Sequence, residues 1–293
     1  MTTKTQQDQW AAWLSKRRHG DDPAELQRAL DYLAPIRDQV VAGAGLGDGD
    51  TVLDVGCGDG LIAFAAAELV GPSGSVIFSD VSNDLLQRCR ELATDAGLVD
   101  RCRFVRAPAS DLAPIADASV DAVTLRSVLI YEPDKVSSFA EFYRTLRPGG
   151  HLSLFEPINS FARQHLDRLF GCELGPVADL AAKVQAVYNA LQPPDTDPML
   201  DFDERDLLRL VEQAGFIEIH LQFHADIGRQ EPMPWEIALR RSGNPRIPTL
   251  GEAMHQSLNP EEITRLTACL RPQFENGTRQ KLMAFTYLTA QRP

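Results

Sequence analysis

The feature that most constrains this chain is a set of three glycines directly after a short apolar run. Val52-Leu53-Asp54-Val55 has the composition of a buried strand, and Gly56, Gly58 and Gly60 follow before a helical pattern begins at Leu61. Glycine lets a ligand approach the main chain, and the first turn of a helix offers free N–H groups. The sequence therefore predicts a site for a nucleotide-like ligand at the carboxyl end of a first strand.

Two kinds of nucleotide-like ligand compete for this turn. Dinucleotide cofactors are typical of G-x-G-x-x-G/A, but the residue three positions after Gly58 is Leu61, so that spacing fails. The carboxylate of Asp54, two residues before the first glycine, would repel a pyrophosphate and attract an ammonium group. The residues expected to form the ligand site here are Asp54, Gly56, Cys57, Gly58 and Gly60. A purely structural glycine turn is the remaining alternative.

Short apolar runs alternate with helical patterns from residue 51 to residue 156. The strand-like runs are 52–55, 76–79, 102–105, 120–125 and 151–155, and the helical patterns are 61–70, 83–96 and 134–146. Two later runs, 216–223 and 282–288, also resemble strands. Such alternation predicts right-handed crossovers between parallel strands. We therefore predict an α/β protein with a Rossmann-like, mostly parallel seven-stranded sheet and helices on both faces.

Segments without this alternation of strand-like and helical runs precede and interrupt the pattern. Residues 5–44 have an amphipathic helical pattern in two pieces, which predicts an N-terminal helical flap over residues 1–44. Residues 45–293 are expected to form the sheet domain. Its two insertions, at about 157–200 and 226–279, contain helical and turn-rich stretches and are expected to act as lids.

Charge and hydropathy exclude several kinds of partner. A formal net charge of −12 opposes binding to the polyanionic backbone of nucleic acid. The longest apolar stretch, 61–70, contains Glu68 and falls short of the roughly 20 residues that cross a bilayer. The first residues lack the apolar core of a secretory signal. We therefore expect a cytoplasmic protein that acts on a small molecule, without nucleic-acid or membrane partners, and with a homodimer as one option for its assembly.

The five cysteines are scattered and include no C-x-x-C pair. An odd number without that spacing argues against a disulfide framework and against a structural zinc site. Reduced thiols and no bound metal are therefore expected.

Residues 50 to 156 resemble the class I S-adenosylmethionine-dependent methyltransferases, in the small-molecule branch related to ubiquinone-biosynthesis and secondary-metabolite enzymes. The glycine turn carries the resemblance, together with Asp80 at the end of the second strand-like run. The resemblance implies S-adenosylmethionine as cofactor, with Asp80 accepting both ribose hydroxyls and Val81 against the adenine. A helix cap is the alternative role for Asp80, although Ser82 is the better candidate for that cap.

The segment that begins at Ala107 is similar to the family's segment beside the adenine. Pro108 stands where the family commonly has an acid, so Ser110 or Asp111 is the expected substitute, and Ala109 is expected at the edge of the adenine.

Arg126 and Ser127 follow the fourth strand-like run, where the family's backbone contacts the cofactor. Arg126 and the pair Arg17-Arg18 are candidates to hold the methionine carboxylate or an acidic substrate, since guanidinium matches carboxylate geometry.

Methyl transfer from a sulfonium is an in-line displacement, so the protein must hold the nucleophile close, aligned and dry. A base is needed only when the nucleophile begins protonated. The catalytic candidates are Tyr131, Glu156 and His165, with Glu132 and His224 in comparable positions. Each also has a structural alternative as a pocket wall, a cap, or a surface or packing residue.

Aromatic residues in the flap and insertions would suit a cover over an apolar small molecule. They are Trp10, Trp13, Phe161, Phe170, Tyr188 and Trp235. We interpret the chain as a methyltransferase acting on an O, N or C atom of a small organic molecule in specialised metabolism. One alternative is a donor-binding protein with non-methylating chemistry such as cyclisation, and another is a non-catalytic binding partner. A weaker alternative is an arsenite-type thiolate enzyme, which only Cys172 supports.

Overall fold

Seven strands form one sheet in the computed structural model, which describes residues 8–165 and 168–293, without the side chains of 163–165. The strands are β1 Thr51–Val55, β2 Ser75–Asp80, β3 Cys102–Arg106, β4 Val120–Arg126, β5 Leu146–Pro157, β6 Ile217–Arg229 and β7 Gln280–Gln291. Their order is β3-β2-β1-β4-β5-β7-β6, with only β7 antiparallel to its neighbours β5 and β6. The predicted seven-stranded, mostly parallel sheet is confirmed.

The described helices alternate with the strands and extend beyond them. They are α1 Gln9–Ala12, α2 Pro23–Gly43, α3 Leu61–Leu69, α4 Asn83–Asp95, α5 Lys135–Thr145, α6 Ala178–Leu191, α7 Glu204–Gln213, α8 Trp235–Arg240, α9 Leu250–Ser257 and α10 Pro260–Glu275. A π-helical turn, Trp13–Arg17, continues α1. Asp22 caps α2 with Pro23 in the first turn, because its side chain accepts from two free N–H groups. Within the described residues, no helix has both the length and the hydropathy of a membrane span.

Central strands are buried on both faces, as a parallel sheet covered by helices requires. Val52, Leu53, Asp54 and Val55 are all at most 1% exposed. The sequence predicted the interior of these strands better than their ends: β5 begins at Leu146 rather than at 151, because its first residue already pairs with β4.

The edge strand β6 is longer than its sequence pattern indicated. It continues to Arg229, which pairs with Gln280 at the start of β7. Asp226 and Gly228 gave this stretch the appearance of a loop, but antiparallel pairing with β7 supplies backbone hydrogen bonds whatever the side chains are. The second interruption of the sheet therefore begins at residue 230 rather than 226.

The two insertions pack against each other. Leu180 and Val184 on α6 share one buried apolar cluster with Leu250 on α9 and with Leu266 and Leu270 on α10. The insertions thus form a single helical body beside the sheet, with its own core.

The N-terminal segment bridges the sheet and this helical body. Asp8 accepts a hydrogen bond from the Ser82 hydroxyl at 2.5 Å, which ties the segment to the start of α4. The Trp13 indole N–H donates to the Ser242 carbonyl at 2.9 Å, and Arg17 pairs with Glu252 at 2.6 Å. Both ends of the segment Asp8–Arg18 are therefore held in place.

The end of α2 approaches the sheet closely through small residues. The Ser153 hydroxyl on β5 donates to the Val40 carbonyl at 2.7 Å. A Cβ atom at Gly43 would lie 2.6 Å from the Ser153 Oγ and 2.7 Å from the Thr289 Cγ2. No side chain fits between helix and sheet at this point.

We expect Gly43→Val to lower the free energy of unfolding by about 1–3 kcal/mol, the usual cost of overpacking. Ala42→Val is the matched control, because Ala42 is exposed on the same turn, and it should cost only about 0.6 kcal/mol of helix propensity. Urea denaturation of both variants checks this, and equal midpoints would contradict the close packing.

Candidate active site

A cavity of about 450 Å³ opens at the carboxyl ends of β1 and β4. The sheet contributes the glycine turn, the end of β2, the loop after β3 and the end of β4, while the N-terminal segment and both insertions form the opposite wall. Ligand cavities of proteins commonly enclose roughly 300–1,000 Å³. The candidate site predicted from the sequence lies at this edge of the sheet.

The glycine turn forms the floor of the cavity. Gly56 and Gly58 line it, and both adopt positive φ angles, of 62° and 57°. A Cβ atom at Gly56 would lie 2.4 Å from a methyl group of Val128, so the turn can pass beside β4 only with glycine here. Cys57 and Gly60 do not line the cavity: Cys57 is buried below the turn, and Gly60 begins α3 in the left-handed conformation.

Asp80 lies at the end of β2 and joins the glycine turn to α4. Its carboxylate accepts hydrogen bonds from the Gly58 N–H at 2.9 Å and the Ser82 N–H at 2.8 Å, and it lines the cavity beside Val81. Burial raises the pKa of Asp80. The Ser82 hydroxyl caps α4 by accepting from the Leu85 N–H. Asp80 therefore has remaining acceptor capacity that faces the cavity, as a ribose site requires.

The loop after β3 supplies an apolar wall. Ala107, Pro108 and Ala109 line the cavity, whereas Ser110 and Asp111 do not. The chain turns away after Ala109, since the Asp111 N–H donates back to the Pro108 carbonyl at 3.2 Å. The structure thus differs from the expectation that Ser110 or Asp111 replaces the missing acid.

Asp54 lies beneath the turn and is 1% exposed. One carboxylate oxygen accepts from the Thr124 hydroxyl at 2.9 Å, while the other, Oδ2, has no hydrogen-bond partner. Burial raises the pKa of Asp54 to about 7, against the opposing effects of the Thr124 hydroxyl, the nearby Ala63 amide and Arg126. Asp54 does not itself line the cavity, so it can act on a cation there by its charge from below.

Arg126 and Ser127 end β4 and line the cavity beside the glycine turn. Ser127 has a φ of 56°, and its N–H donates to the Phe155 carbonyl at 2.9 Å. Of the pair considered for anion binding, Arg18 lines the cavity, but Arg17 points away to Glu252.

Glu156 does not occupy the position of a catalytic group. It is fully buried, and its carboxylate accepts hydrogen bonds from the backbone N–H groups of Val128, Leu129 and Ile130 at 2.8, 2.9 and 3.4 Å. Burial raises its pKa to about 7, although these donors favour the ionised form. Glu156 thus differs from the predicted catalytic role and holds the turn that carries Tyr131.

Tyr131 lines the cavity, with its ring edge-on to Trp10 at a centroid distance of 4.8 Å. Burial raises the pKa of its hydroxyl to about 12, so it stays protonated near neutral pH and suits a donor rather than a base. Glu132 also lines the cavity. The side chain of His165 lies outside the described part of the structure, and its role stays a prediction. His224 is exposed and stacks on Phe285, away from the cavity.

Two of the six candidate aromatic residues, Trp10 and Trp13, line the cavity. Trp235 packs on Phe274 inside the helical body instead. Sequence reasoning missed several lining residues, which are Leu14, Asn159, Met199, Ser242, Gly243 and Arg246. The turn-rich composition near residue 243 was their only visible signal, and it does not indicate a site.

Comparison with known proteins identifies the family. The profile of the family described as "Methyltransferase domain" matches residues 46–215. The chain belongs to this family, the class I S-adenosylmethionine-dependent methyltransferases. The predictions of family, enzyme class and cofactor are confirmed.

Individual relatives match only part of the chain. An arsenite methyltransferase of Halobacterium salinarum is 33% identical over 60% of this chain and 50% of its own length. A ubiquinone/menaquinone biosynthesis C-methyltransferase, UbiE, of Hahella chejuensis is 33% identical over 59% of this chain and 69% of its own. The chain thus spans about half the length of the first of these relatives.

A solved structure has the same fold over a longer stretch. Geranyl diphosphate C-methyltransferase from Streptomyces coelicolor superposes with a TM-score of 0.53 at 16% identity, covering 96% of this chain and 89% of its own.

The residues of the cavity fit the cofactor of this family. S-Adenosylmethionine carries an ammonium group, a ribose and an adenine. The open face of Asp80 and the apolar wall around Ala109 offer a matching environment for the ribose and the adenine, and the charge of Asp54, buried beneath the glycine turn, can act on the ammonium group. The open space above Gly58, where only Leu14 would approach a Cβ atom, leaves room for a ligand against the main chain.

We expect Asp80→Ala to weaken donor binding roughly 10- to 100-fold, since a lost hydrogen bond to a charged group costs about 1.5–3 kcal/mol. Asp95→Ala, at an exposed position near the end of α4, is the matched control and should bind normally. Isothermal titration with S-adenosylhomocysteine measures the affinity, and thermal unfolding confirms that both variants are folded. An unchanged affinity would remove Asp80 from the site.

Donor affinity should rise with pH between about pH 6 and pH 7.5. The pKa of Asp54 is about 7, and only its ionised form attracts an ammonium group. Above about pH 8 the donor loses its own amino proton, and affinity should fall again. Titrations of S-adenosylmethionine across this range should show the rising limb in the native protein but not in Asp54→Asn.

The raised pKa of Asp54 also predicts how this residue affects the stability of the fold. The folded chain holds the Asp54 proton more tightly than the unfolded chain, so Asp54 reduces stability as the pH rises from about 4 to about 7. Asp54→Asn should therefore remain folded at pH 8. A rising limb that persists in this variant would assign the titration to another group.

Proposed function

We propose that the protein transfers the methyl group of S-adenosylmethionine to an O, N or C atom of a small organic molecule. The observation that supports this most directly is a single cavity with two kinds of wall. The glycine turn and Asp80 line one side, while Trp10, Tyr131 and Met199 line the other. A donor on the first side would present its methyl group to a molecule enclosed by the second.

Asp54, Gly56, Gly58, Asp80, Val81, Ala109, Arg126 and Ser127 form our proposed donor site. Asp80 would accept the ribose hydroxyls, because it lies at the end of β2 with acceptor capacity left. Arg126 would hold the methionine carboxylate, since it lines the cavity next to the glycine turn and has no carboxylate partner of its own within the described residues. Cys57 and Gly60 would support the turn from below.

The chain's contribution to catalysis would be alignment and exclusion of water. The bound donor supplies an activated methyl group on a sulfonium. Glu156 positions the turn Leu129–Tyr131 through three backbone N–H groups, and this turn carries the Tyr131 side chain toward the acceptor. The N-terminal segment and the helical body cover the cavity, which shields a reacting nucleophile from water.

In the proposed reaction, neither Tyr131 nor Glu156 would act as a general base. Tyr131 keeps its proton near neutral pH, and the Glu156 carboxylate is enclosed by its amide donors. An acceptor whose nucleophile is already unprotonated would need alignment alone. His165 remains our candidate base for acceptors that begin protonated.

The acceptor is proposed to differ from those in the names of the two relatives. The second insertion contributes Ser242, Gly243 and Arg246 to the cavity, and it lies beyond the family match, which ends at residue 215. No cysteine lines the cavity in the described structure, which argues against an arsenite-type thiolate mechanism. We therefore propose a role in specialised metabolism and a cytoplasmic location.

We expect transfer of labelled methyl from S-adenosylmethionine to a component of a small-molecule extract. The control is Gly58→Trp, whose side chain would fill the space above the turn and should abolish transfer. Scintillation counting after chromatography measures the product. Tight donor binding without any transferred label would contradict methyl transfer and favour a donor-binding protein with other chemistry.

A further inference from the structure

The cavity is rich in arginine, although the chain as a whole is strongly acidic. Four arginines line it, Arg18, Arg126, Arg241 and Arg246, against the two carboxylates Asp80 and Glu132. The formal net charge of the full sequence is −12. Positive charge is therefore concentrated at this site.

Only one of the four arginines is neutralised by a carboxylate. Arg241 pairs with Glu25 at 3.3 Å, outside the cavity. Arg18, Arg126 and Arg246 form no ion pair with any described residue. Guanidinium groups in a partly enclosed cavity usually face a carboxylate or phosphate. Arg18 and Arg126 are partly buried and Arg246 is exposed, and all three guanidinium groups are available to a ligand.

The three available arginines surround Tyr131. The Arg246 guanidinium lies 5.6 Å from the centre of the Tyr131 ring and donates to the Tyr131 carbonyl at 3.1 Å. Arg18 and Arg126 act with Arg246 to oppose the rise in the pKa of Tyr131 that burial causes. Burial and the neighbouring charge of Arg126 lower the pKa of Arg18 to about 10. An anion near Tyr131 would relieve this repulsion.

S-Adenosylmethionine alone cannot neutralise the three unpaired arginines. S-Adenosylmethionine has one carboxylate, but its ammonium and sulfonium groups give it a net positive charge. If Arg126 takes the carboxylate, Arg18 and Arg246 still lack a partner, and the loaded site is more positive than before. An anionic second reactant would bring negative charge to Arg18 and Arg246.

We infer that the methyl acceptor is an anion, an apolar or aromatic molecule that carries a carboxylate or phosphate group. This inference rests on the methyl transfer proposed above. Arg18 and Arg246 hold the anionic group by charge-assisted hydrogen bonds. Trp10, Tyr131 and Met199 contact the apolar part.

The test sorts a small-molecule extract by charge before reaction. Ion exchange at pH 7 divides it into anionic, neutral and cationic pools, and each is incubated with the protein and labelled S-adenosylmethionine. The anionic pool should receive most of the label. Label confined to the neutral or cationic pool would overturn the inference. Alkaline phosphatase treatment of the anionic pool distinguishes a phosphate, whose acceptor activity it destroys, from a carboxylate.

Variants then test whether Arg246 and Arg18 bind the anionic group of the acceptor. Arg246→Gln should raise the KM for the anionic acceptor at least tenfold and leave the KM for the donor unchanged, and Arg246→Lys should recover part of the loss. Arg240→Gln is the matched control, because Arg240 is exposed and its guanidinium contacts only the Glu236 carbonyl. Arg18→Gln should raise the KM for the anionic acceptor in the same way, again without changing the KM for the donor. Equal KM values in Arg246→Gln and Arg240→Gln would overturn the assignment.

A failure of methyl transfer is distinguishable from a failure of the inference. If no pool accepts label, the proposed function is wrong, and binding alone decides the charge of the ligand. Thermal unfolding of the protein saturated with S-adenosylhomocysteine is then measured with each pool. The anionic pool should give the largest rise in Tm, and it should lose that effect in Arg246→Gln. An equal or larger rise with the neutral pool would reject an anionic ligand.

Discussion

The reversal of strand order at β1 is the constraint on which the site depends. From β1 the chain builds outward through β2 to β3 and then returns to place β4 on the other side of β1. The connections after β1 and β4 therefore leave the sheet in different directions, and a crevice remains between them at the carboxyl edge. Gly56 and Val128 meet at the base of this crevice so closely that a side chain on residue 56 is excluded. The place of the proposed donor site follows from this topology.

The cover of the crevice has a separate physical origin. Asp8 binds Ser82 at the start of α4, and Trp13 binds the Ser242 carbonyl in the second insertion, so the N-terminal segment is held from both sides. The two insertions share one apolar core and need no strand of the sheet to complete it. The acceptor side can therefore vary in sequence while the donor side keeps its geometry. The family match covers residues 46–215, so it includes the first insertion and ends before β6 and the second insertion.

The sequence predicted the features that depend on local order along the chain. The glycine turn, Asp80 after β2 and the Ser82 cap each follow from a strand, a turn and a helix start in succession. Predictions from the sequence were wrong where contacts between distant segments determine the position of a side chain. Glu156 was a reasonable catalytic candidate at the end of β5, but the fold directs its carboxylate to three amides of the β4 turn. Arg246 has no local signal, because only packing of the second insertion brings it to Tyr131.

The two sides of the cavity differ in charge, and this difference bears on how the reactants meet. Asp80 and the buried Asp54 lie on the side of the cavity proposed for the donor, together with Arg126, while Arg18 and Arg246 lie near Tyr131. In the proposed reaction, the ionised forms of Asp54 and Asp80 would attract the cationic donor and the arginines would attract an anionic acceptor, and charges attract more strongly in a cavity sheltered from water. Loss of the sulfonium charge on methyl transfer would weaken the attraction of Asp54 and Asp80 for the spent donor. The same charges that bring the reactants together would thus favour release of the spent donor.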